Sequence, residues 1–338
     1  RGKTSTFNSY WKNIQVDYLI RCAHQYFVLV GFLIMKEFPY YPTDYTWRRK
    51  EFNQFLQYQD NLWENKDIKQ TMHGLALCWS YMPHSWAVQC KGMNSPLQTF
   101  ENDIKKVLKK MNQMGHGTTP SGMRKTLRIM TGSQGVSNFR PTAAHAIYNR
   151  FLPDGGTTWD MSGGYGGRLL GAIKSQINYI ATEPATETVK GLKEIIVDWS
   201  QISNIFRKVP HFEIVQKGSE DFLPDKESLD LCFTSPPYFN TEKYSDEETQ
   251  SYIKFPTKDK WTDGFLRKTI QNCRYGLKRN RYMLINIANV SSFMSLEDVT
   301  IKTAEQEGFV HEDTYRLALS KIRGNGFKYE PIFVFRKR

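Results

Sequence analysis

A serine and a tyrosine lie on a proline-stiffened segment in the second half of the chain. The segment Thr234–Phe239 reads TSPPYF and directly follows the apolar run Leu229–Phe233. Such a run predicts a buried strand, and two consecutive prolines end it because proline has no N–H to donate to a sheet ladder. Ser235 and Tyr238 are therefore held at the carboxyl end of a strand, where open α/β sheets bind ligands. The segment is predicted to be a catalytic loop, and the alternative is a plain rigid turn.

A cluster of glycines precedes that loop in the chain. Residues 157–171 read TTWDMSGGYGGRLLG and lead from a short β-rich stretch and an acid into a helix whose apolar residues keep to one face. Glycine lets the backbone turn sharply and approach a ligand closely, because a Cβ would block both. We predict a strand, a tight turn and a helix, with a ligand at Gly163, Gly164, Gly166 and Gly167. A phosphate-binding turn is disfavoured, since the spacing is not G-x-G-x-x-G and no G-K-[ST] follows, whereas another nucleotide-binding turn or a plain glycine-rich loop stays open.

An acid stands at the end of the next predicted strand. The strand-like stretch Tyr179–Thr182 is followed by Glu183, then by Pro184 and a predicted helix. In doubly wound folds an acid at the tip of the second strand binds ribose, because its two oxygens accept hydrogen bonds from two neighbouring hydroxyls. Glu183 is predicted to be a ribose ligand, and the alternative is a charge at the start of a helix.

The sequence Ser-Pro-Pro-Tyr at the end of a strand resembles the motif of the DNA amino-methyltransferases. These enzymes move a methyl group from S-adenosylmethionine to the exocyclic nitrogen of cytosine or adenine. The resemblance covers about residues 121–338 and implies an α/β fold, a Rossmann-like methyltransferase sheet of seven mostly parallel strands with a terminal antiparallel hairpin. Alternating strands and helices in the sequence also indicate a mainly parallel sheet. The later predicted elements are a helix at 261–275, a strand at Tyr282–Ile287, a helix at 296–308 and strands at Tyr315–Leu319 and Ile332–Phe335.

The resemblance implies S-adenosylmethionine as the cofactor, bound at the glycine turn. In the family a segment upstream of this turn closes over the methionine end of the cofactor, and Ser137–Thr142 resembles that segment. In this interpretation Phe139 packs on the cofactor, and Pro141 begins a helix, where its missing N–H costs nothing. The alternative is an ordinary helix start with Phe139 in the core.

The family also carries an acid after its third strand, where it contacts the adenine of the cofactor. Here the predicted strand Phe212–Val215 leads to two candidates, Glu220 and Asp221, because Ser219 occupies the position where many members carry the acid. Phe222 either covers the adenine or is a buried aromatic without ligand contact. The predicted cofactor-binding residues are Phe139, Arg140, Asp160, Ser162, Gly163, Gly164, Gly166, Glu183, Glu220, Asp221, Phe222 and Thr234.

The resemblance further implies the reaction. Methylation of carbon five of cytosine needs a cysteine that follows a proline, and the absence of any Pro-Cys pair excludes that class. Transfer to an exocyclic amine needs no covalent intermediate, because the nitrogen attacks the sulfonium methyl in line. The oxygen of Ser235 and the carbonyl of Pro236 would accept the two amino protons, so that the lone pair points at the methyl group. The predicted catalytic residues are Ser235, Pro236, Pro237 and Tyr238, with Tyr238 stacked on a base flipped out of the duplex.

The residue at position 235 bears on the target base. The family's adenine enzymes mostly carry Asp or Asn where this chain has Ser235, so the resemblance favours N4 of cytosine over N6 of adenine. Two further classes remain as alternatives, an RNA amino-methyltransferase that uses the same sheet and a binding module without catalysis.

Most of the excess positive charge lies in the N-terminal third, which the resemblance does not reach. Residues 1–135 carry 18 Lys and Arg against 9 Asp and Glu, whereas the remaining residues carry 28 against 25. Basic and aromatic residues interleave between Tyr40 and Lys50, and Lys105–Lys110 predicts a basic helix. Such a face neutralises phosphates while rings stack on bases, and the alternative is a solvated lysine-rich surface.

These observations together predict two domains. A basic, mainly helical region at residues 1–120 is predicted to bind DNA and recognise the target, and residues 121–338 form the methyltransferase domain. The polar stretch Asn240–Lys260 is predicted to be a loop over the catalytic face. The predicted substrate contacts are Phe239, Asn240, Arg48, Arg49 and Lys50.

Cysteine content and hydropathy bound the cellular setting. Five cysteines without a C-x-x-C pair fit a reducing compartment with free thiols and no zinc site. The apolar run Phe27–Met35 is too short to cross a bilayer and is predicted to be buried core. No signal peptide is visible, although the first residue is not Met. We expect a cytoplasmic protein of bacterial or phage origin that binds DNA, with an endonuclease or defence-system subunits as candidate partners and without a membrane or a metal.

Overall fold

Strands and helices alternate through the second half of the chain. The computed structural model describes residues 37–69, 71–203, 210–321 and 326–338, so the run Phe27–Met35 lies outside the described residues. Within the described part the strands are β1 (Trp63–Glu64), β2 (Asp67–Ile68), β3 (Gln89–Cys90), β4 (Thr157–Asp160), β5 (Asn178–Thr182), β6 (Phe212–Val215), β7 (Leu229–Thr234), β8 (Glu242–Lys243), β9 (Leu277–Asn286), β10 (Phe309–Lys321) and β11 (Phe327–Lys337).

Helices fill most of the connections between these strands. They are α1 (Tyr45–Gln57), α2 (Leu75–Tyr81), α3 (Pro96–Gln113), α4 (Pro120–Leu127), α5 (Pro141–Phe151), α6 (Gly167–Ser175), α7 (Thr186–Ile202), α8 (Ser251–Lys254), α9 (Lys258–Trp261), α10 (Lys268–Gly276) and α11 (Leu296–Gln306). Single 3₁₀ turns occur at Pro83–Ala87 and Ser219–Asp221, and a π-helical segment at Thr262–Arg267 joins α9 to α10. Among the described residues no helix is both long and apolar enough to cross a membrane.

The chain forms two compact units that are not continuous in sequence. Among the described residues, the larger unit holds those within 41–85 and 137–338, and the smaller unit holds residues 37–40 and 86–136. This division differs from the predicted boundary at residue 120. Residues 41–85, predicted to belong to the basic N-terminal domain, pack with the sheet instead.

The larger unit is built on one nine-stranded sheet. The strand order is β1-β2-β10-β11-β9-β7-β4-β5-β6. Strands β6, β5, β4, β7 and β9 run parallel, and β11 lies antiparallel between β9 and β10. The predicted α/β class, with a mostly parallel sheet and a terminal antiparallel hairpin, is therefore confirmed. The predicted count of seven strands is wrong, because the two-residue strands β1 and β2 extend the sheet beyond β10.

Burial explains why β7 lies in the centre of this sheet. All six of its residues, LDLCFT, are buried, as expected of a parallel strand covered on both faces. Strand β9 begins at Leu277, earlier than the predicted start at Tyr282. The hydrophobic pattern missed its first half because residues Lys278 to Arg281 are charged or polar and exposed. Only the apolar second half of β9 shows the pattern of a buried strand.

The smaller unit contains the predicted basic helix. Helix α3 starts with a capping box, in which the Ser95 hydroxyl accepts from the Gln98 N–H and the Gln98 side chain accepts from the Ser95 N–H. Its apolar side chains at Val107 and Leu108 are buried, whereas Lys105 and Lys106 are exposed. The helix therefore presents lysines to solvent, and a role for them in binding DNA stays a prediction.

Candidate functional site

A cavity opens at the carboxyl ends of β4, β5, β6 and β7. The space between its walls is about 800 Å³, a figure that includes open solvent. Its wall contains Ser162 and Gly164 from the glycine turn and Ser235 and Pro237 from the proline loop. Two segments far apart in sequence thus meet in one cavity, because parallel strands end at the same edge of a sheet.

The glycine turn takes conformations that side chains would obstruct. Gly164 and Gly166 have φ angles of +53° and +83°, in the left-handed region that favours glycine. A Cβ on Gly166 would lie 2.7 Å from the Cδ1 of Ile195, and one on Gly163 would lie 3.0 Å from a methyl carbon of Leu192. Gly163 and Gly166 do not line the cavity themselves but let the turn pack against α7.

Gly167 lets the upstream segment pack against the start of α6. A Cβ at this position would lie 1.9 Å from the carbonyl oxygen of Phe139. The side chain of Asn138 donates to the carbonyl of Tyr165 at 3.0 Å, and Phe139 lines the cavity. Gly167 therefore fixes the position of one cavity wall.

Replacing Gly167 by alanine is expected to lower the free energy of unfolding by about 1–3 kcal/mol, because overpacking against a backbone oxygen forces the segment to move. The measurement is urea unfolding followed by circular dichroism. Gly117→Ala is the control, since its nearest neighbour is a Thr119 methyl at 3.9 Å. Equal effects of the two substitutions would contradict the tight packing at Gly167.

Glu183 lies at the tip of β5, and its carboxylate lines the cavity. One oxygen accepts from the N–H of Gly164 at 2.9 Å and the other from the N–H of Ala185 at 3.1 Å. Burial raises the pKa of Glu183 to about 7, although the two backbone hydrogen bonds act in the opposite direction. Each carboxylate oxygen keeps a further lone pair for a hydroxyl donor in the cavity.

Asp160 lies behind the cavity wall and does not line it. It is fully buried, and its carboxylate accepts from Arg168 Nε at 2.8 Å, from the Tyr179 hydroxyl at 2.6 Å and from the Ser162 N–H at 3.2 Å. These bonds commit the carboxylate to the protein, so the predicted direct contact with a cofactor is corrected to a positioning role. Asp160 orients the side chain that does reach the cavity, Arg168.

Arg168 is a cavity residue that the sequence analysis missed. Its side chain is buried, donates to the Ser162 carbonyl and lies with its guanidinium carbon 5.6 Å from the centre of the Phe139 ring. The signal in the sequence was an arginine in the first turn of α6, directly before the apolar pair Leu169 and Leu170. A buried cation in that position requires a partner, and Asp160 provides it.

Of the two acids after β6, Glu220 rather than Asp221 lines the cavity. Glu220 Oε1 accepts from Lys254 Nζ at 2.9 Å, whereas its Oε2 is buried and has no hydrogen-bond partner among the described residues. Asp221 also contacts Lys254, but more than half of its side chain is exposed. Gly218 makes room for the Glu220 carboxylate, because a Cβ there would lie 2.4 Å from Glu220 Oε2.

The aromatic residue in this part of the wall is Phe265, not Phe222. Phe222 packs with its ring centre 5.2 Å from that of Trp159, against the buried core. Phe265 comes from the π-helical segment, whose extra residue per turn no sequence pattern predicted. The expectation that Phe222 covers a ligand is therefore replaced by its alternative, a core aromatic.

The proline loop places Ser235 and Pro237 in the wall and Pro236 in the interior. The hydroxyl of Tyr238 donates towards the Asn286 carbonyl at 3.3 Å and the Glu330 carboxylate at 3.4 Å. Burial and the nearby carboxylate of Glu330 raise the pKa of Tyr238 well above its usual range, and a hydrogen bond with Ser235 acts against this rise. These contacts fix the loop at the end of β7.

The residues on either side of this loop are less accessible than predicted. Thr234 is buried, and its hydroxyl has no partner in the part of the chain that the structure describes. Phe239 packs edge-on to Trp261 and Phe293, with ring centres 6.1 and 6.0 Å away, so its predicted contact with substrate is corrected to a core contact. Its φ of +56° turns the chain sharply, and the next residue, Asn240, is exposed.

The predicted segment upstream of the glycine turn holds two candidates for cofactor binding, and one of them lines the cavity. Phe139 lines the cavity and also packs edge-on against Phe233, with 5.2 Å between ring centres. Arg140, at the start of α5, is not in the wall, and burial lowers its pKa from the usual value. Phe139 thus combines the two roles that the sequence left open, a core contact and a cavity surface.

The basic residues predicted to contact substrate divide into two kinds. Arg48 is buried, donates to the Ser80 carbonyl at 2.8 Å and lies 3.8 Å above the centre of the Tyr81 ring. It also pairs with two carboxylates on α7 at 3.6 Å, so its predicted contact with phosphate is corrected to a structural role. Arg49 and Lys50 are exposed on α1 and do not line the cavity.

The polar stretch between Asn240 and Lys260 covers one side of the cavity. It contains the short helices α8 and α9, and Tyr244, Thr249, Gln250 and Ser251 line the cavity. Glu247 ties this covering segment, residues 244–255, to the start of α7, because its carboxylate accepts from the N–H and the hydroxyl of Thr186. Among the described residues no group of histidines, cysteines and acids could hold a metal ion.

Comparisons with known proteins give only distant likenesses. No family model matches the chain, and no curated protein matches it in sequence. Among solved structures the chain is similar to an S-adenosylmethionine-dependent methyltransferase from Methanosarcina mazei, with 10% identity over 56% of this chain and 96% of that chain and a TM-score of 0.39. It is also similar to magnesium protoporphyrin IX methyltransferase from Synechocystis with bound S-adenosylmethionine, with 12% identity over 59% and 79% of the two chains and a TM-score of 0.39. A putative RNA methyltransferase from Pyrococcus horikoshii shows 14% identity over 58% and 82% and a TM-score of 0.38. Likeness at these TM-scores does not bear on the fold or the reaction of this chain.

Proposed function

We propose that the protein transfers a methyl group from S-adenosylmethionine to the exocyclic amine of a flipped base in DNA, with N4 of cytosine as the first target. The observation that carries this proposal is the meeting of Ser235 with the glycine turn, Glu183 and Glu220 in one cavity. A hydroxyl acceptor, two buried acids and a turn without side chains suit a nucleoside next to a reacting amine.

The residues present fit the proposed cofactor. Glu183 would accept hydrogen bonds from the ribose hydroxyls, and Glu220, whose Oε2 has no partner among the described residues, would accept one from the adenine amine. Phe139 and Phe265 provide apolar walls, and Gly164 allows close approach of the backbone. When bound, S-adenosylmethionine supplies an electrophilic methyl group on a sulfonium.

The proline loop would orient the amine for attack. Ser235 lines the cavity, and its hydroxyl oxygen has lone pairs that can accept one amino proton. We assign the second proton to the carbonyl of Pro236, a buried residue between the wall residues Ser235 and Pro237, so that the nitrogen lone pair would point away from the base plane. As the N–C bond forms the S–C bond breaks, and the amine then releases one proton to solvent. Tyr238, held by Asn286 and Glu330, is half-buried and follows the wall residue Pro237, and its ring would stack on the base.

The charge of the smaller unit supports a polyanionic substrate. Its residues 86–136 carry eight Lys and Arg and two Asp and Glu, a balance of +6. Lysines such as Lys105, Lys106 and Lys109 are exposed on α3 and suit phosphate contacts. Duplex DNA hides its exocyclic amines in the stack, so we assign base flipping to the enzyme.

Labelled S-adenosylmethionine tests this proposal directly. The purified chain is incubated with the labelled compound and with DNA or RNA. The nucleic acid is then digested to nucleosides, which are identified by mass spectrometry. We expect N4-methylcytosine in DNA, with N6-methyladenine as the second DNA product. Label confined to RNA would favour an RNA amino-methyltransferase, and binding without transfer would identify a binding module; either outcome overturns the proposal.

Binding of S-adenosylhomocysteine is expected to depend on the ionisation of Glu183. The pKa of Glu183 in the free protein is raised from 4.5 to about 7, so this group favours the folded state below about pH 4.5, and that contribution is lost as the pH rises through about 7. Ligand hydroxyls that donate to the ionised carboxylate stabilise it, so ligand binding restores part of the folding stability lost at high pH. The rise in melting temperature caused by the ligand should therefore be larger at about pH 8 than at about pH 5.5.

Glu183→Gln is the control for this pH dependence. An amide does not ionise, so the variant should bind more weakly, with a melting-temperature shift that is nearly equal at the two pH values. A wild-type shift independent of pH would contradict the assignment of Glu183 to the ribose.

A further inference from the structure

We propose that Gln250, on the covering segment, recognises the purine of the cofactor by donating a hydrogen bond to the ring nitrogen beside its amine. The inference rests on the proposed function and adds to it a residue that determines which base the nucleoside carries. It assigns the covering segment a part in reading the ligand as well as enclosing it.

The first observation is an unsatisfied donor. Gln250 is 4% exposed and lines the cavity, and its Nε2 has no hydrogen-bond partner among the described residues. A buried amide N–H without a partner is costly, so such a group in a cavity wall indicates that a ligand supplies an acceptor. No acceptor on neighbouring described side chains fills this role.

The second observation is an unsatisfied acceptor in the same cavity. Glu220 Oε2 is also buried without a partner, and its other oxygen is held by Lys254. Helix α8 begins directly after Gln250 and ends at Lys254, whose backbone N–H donates to the Gln250 carbonyl at 2.9 Å. Residues four apart on a helical turn share a face. Lys254 therefore links the Glu220 carboxylate to the helical turn that starts at Gln250, and both Gln250 and Glu220 line the cavity.

This donor and this acceptor, on two residues that line one cavity, match the edge of adenine. The amine of adenine donates and the ring nitrogen next to it accepts, which are the complements of Glu220 Oε2 and Gln250 Nε2. Hypoxanthine carries a carbonyl in place of the amine and an N–H in place of N1. The acceptor Glu220 Oε2 would then face another acceptor, and the donor Gln250 Nε2 would face another donor. The arrangement thus selects adenine and rejects its deaminated form.

The covering segment supports this assignment through its anchors. Glu247 binds Thr186 at the start of α7, and the Tyr252 hydroxyl donates to the Ser245 carbonyl at 2.8 Å. These bonds hold the segment in a defined place over the cavity. The Gln250 side chain is therefore positioned in advance, and recognition does not require it to order on binding.

Three ligands separate recognition of the base from binding of the rest. We measure the dissociation constants of S-adenosylhomocysteine, S-inosylhomocysteine and S-ribosylhomocysteine, which carry adenine, hypoxanthine and no base. Gln250→Leu should weaken the adenine ligand about tenfold, because the ring nitrogen loses its donor. It should leave the ligand without a base unchanged. The melting temperature without ligand should not fall, since an apolar side chain replaces an unsatisfied donor.

Exchanging the two groups gives the sharper measurement. In the double variant Glu220→Gln, Gln250→Glu the donor and the acceptor trade places, so the preference should turn from adenine to hypoxanthine. If Gln250→Leu weakened all three ligands equally, or if the exchange left the adenine preference intact, Gln250 would not read the base. If the wild-type chain bound none of the three, the proposed function itself would fail, which is a distinguishable result.

Discussion

Replacing Ser235 by alanine is expected to lower kcat for methyl transfer by about 10²–10³-fold, the effect of removing one preorganised hydrogen-bonding group from a reacting centre. The hydroxyl lines the cavity at the end of β7, and its loss leaves one amino proton of the target base without an acceptor. Cofactor affinity should change by less than about twofold, because the ribose and adenine contacts lie on other strands. Single-turnover transfer and calorimetric binding of S-adenosylhomocysteine measure the two effects separately.

A second serine provides the control for this substitution. Ser228 lies just before β7, at the opposite end of the same strand, and its hydroxyl donates to the Asp225 carbonyl at 2.8 Å. Ser228→Ala should leave kcat and affinity near the wild-type values. Near-normal turnover of Ser235→Ala would show that the hydroxyl does not take part in the reaction.

Replacing Asp160 by asparagine is expected to lower the free energy of unfolding by about 3–5 kcal/mol, because the substitution leaves a buried guanidinium without its countercharge. Asp160 is fully buried, and Arg168 is almost so. The variant should also bind the cofactor poorly, since Arg168 and the glycine turn lose their common anchor. Urea unfolding with and without S-adenosylhomocysteine gives both values.

An exposed pair of the same chemistry serves as the comparison. Arg316 binds both oxygens of Asp67 at 2.5 and 2.9 Å, but more than half of the arginine side chain is exposed. Asp67→Asn should cost less than about 1 kcal/mol, because solvent screens the exposed pair. Equal losses of unfolding free energy for the two substitutions would contradict the prediction that burial makes the Asp160 pair more costly to break. The double variant Asp160→Leu, Arg168→Met should recover part of the loss, since apolar groups need no countercharge.

The parts of the cavity that follow strand ends could be predicted from the sequence. Glycines, a proline pair and an acid each mark the end of a strand through local backbone chemistry, and parallel strands bring their ends together. Gly164, Glu183 and Ser235 were placed near one another by this reasoning, and all three line the cavity. The chemical roles assigned to them stay predictions.

Other residues could not be placed, because their surroundings come from distant parts of the chain. Arg48 looks like a free cation in the sequence, but α7 supplies two carboxylates nearly 150 residues later. Phe239 ends the proline loop, yet it packs against Trp261 and Phe293. Gln250 was unremarkable within a polar stretch, since nothing local shows that the cavity buries it. Sequence position gives chemical type, and tertiary packing decides access.

The compact units divide the chain elsewhere than at the predicted boundary. The boundary at residue 120 followed the extent of the family resemblance and the excess of basic residues in the N-terminal third, but the compact units exchange segments, and β1 and β2 are too short to carry an alternating pattern. Strands of two residues owe their existence to the neighbour with which they pair. Resemblance and charge therefore could not show that residues 41–85 pack with the sheet.

The short strands β1 and β2 also affect how the molecule meets copies of itself. A long strand at the rim of a sheet offers a row of backbone groups on which another chain can stack and polymerise. Here β2 pairs with β10 at Arg316 and Leu317. Ion pairs from Lys66 to Asp313 and from Asp67 to Arg316 hold β2 against β10. Another chain that paired with β10 at Arg316 and Leu317 would therefore first have to displace β2 and break its ion pairs.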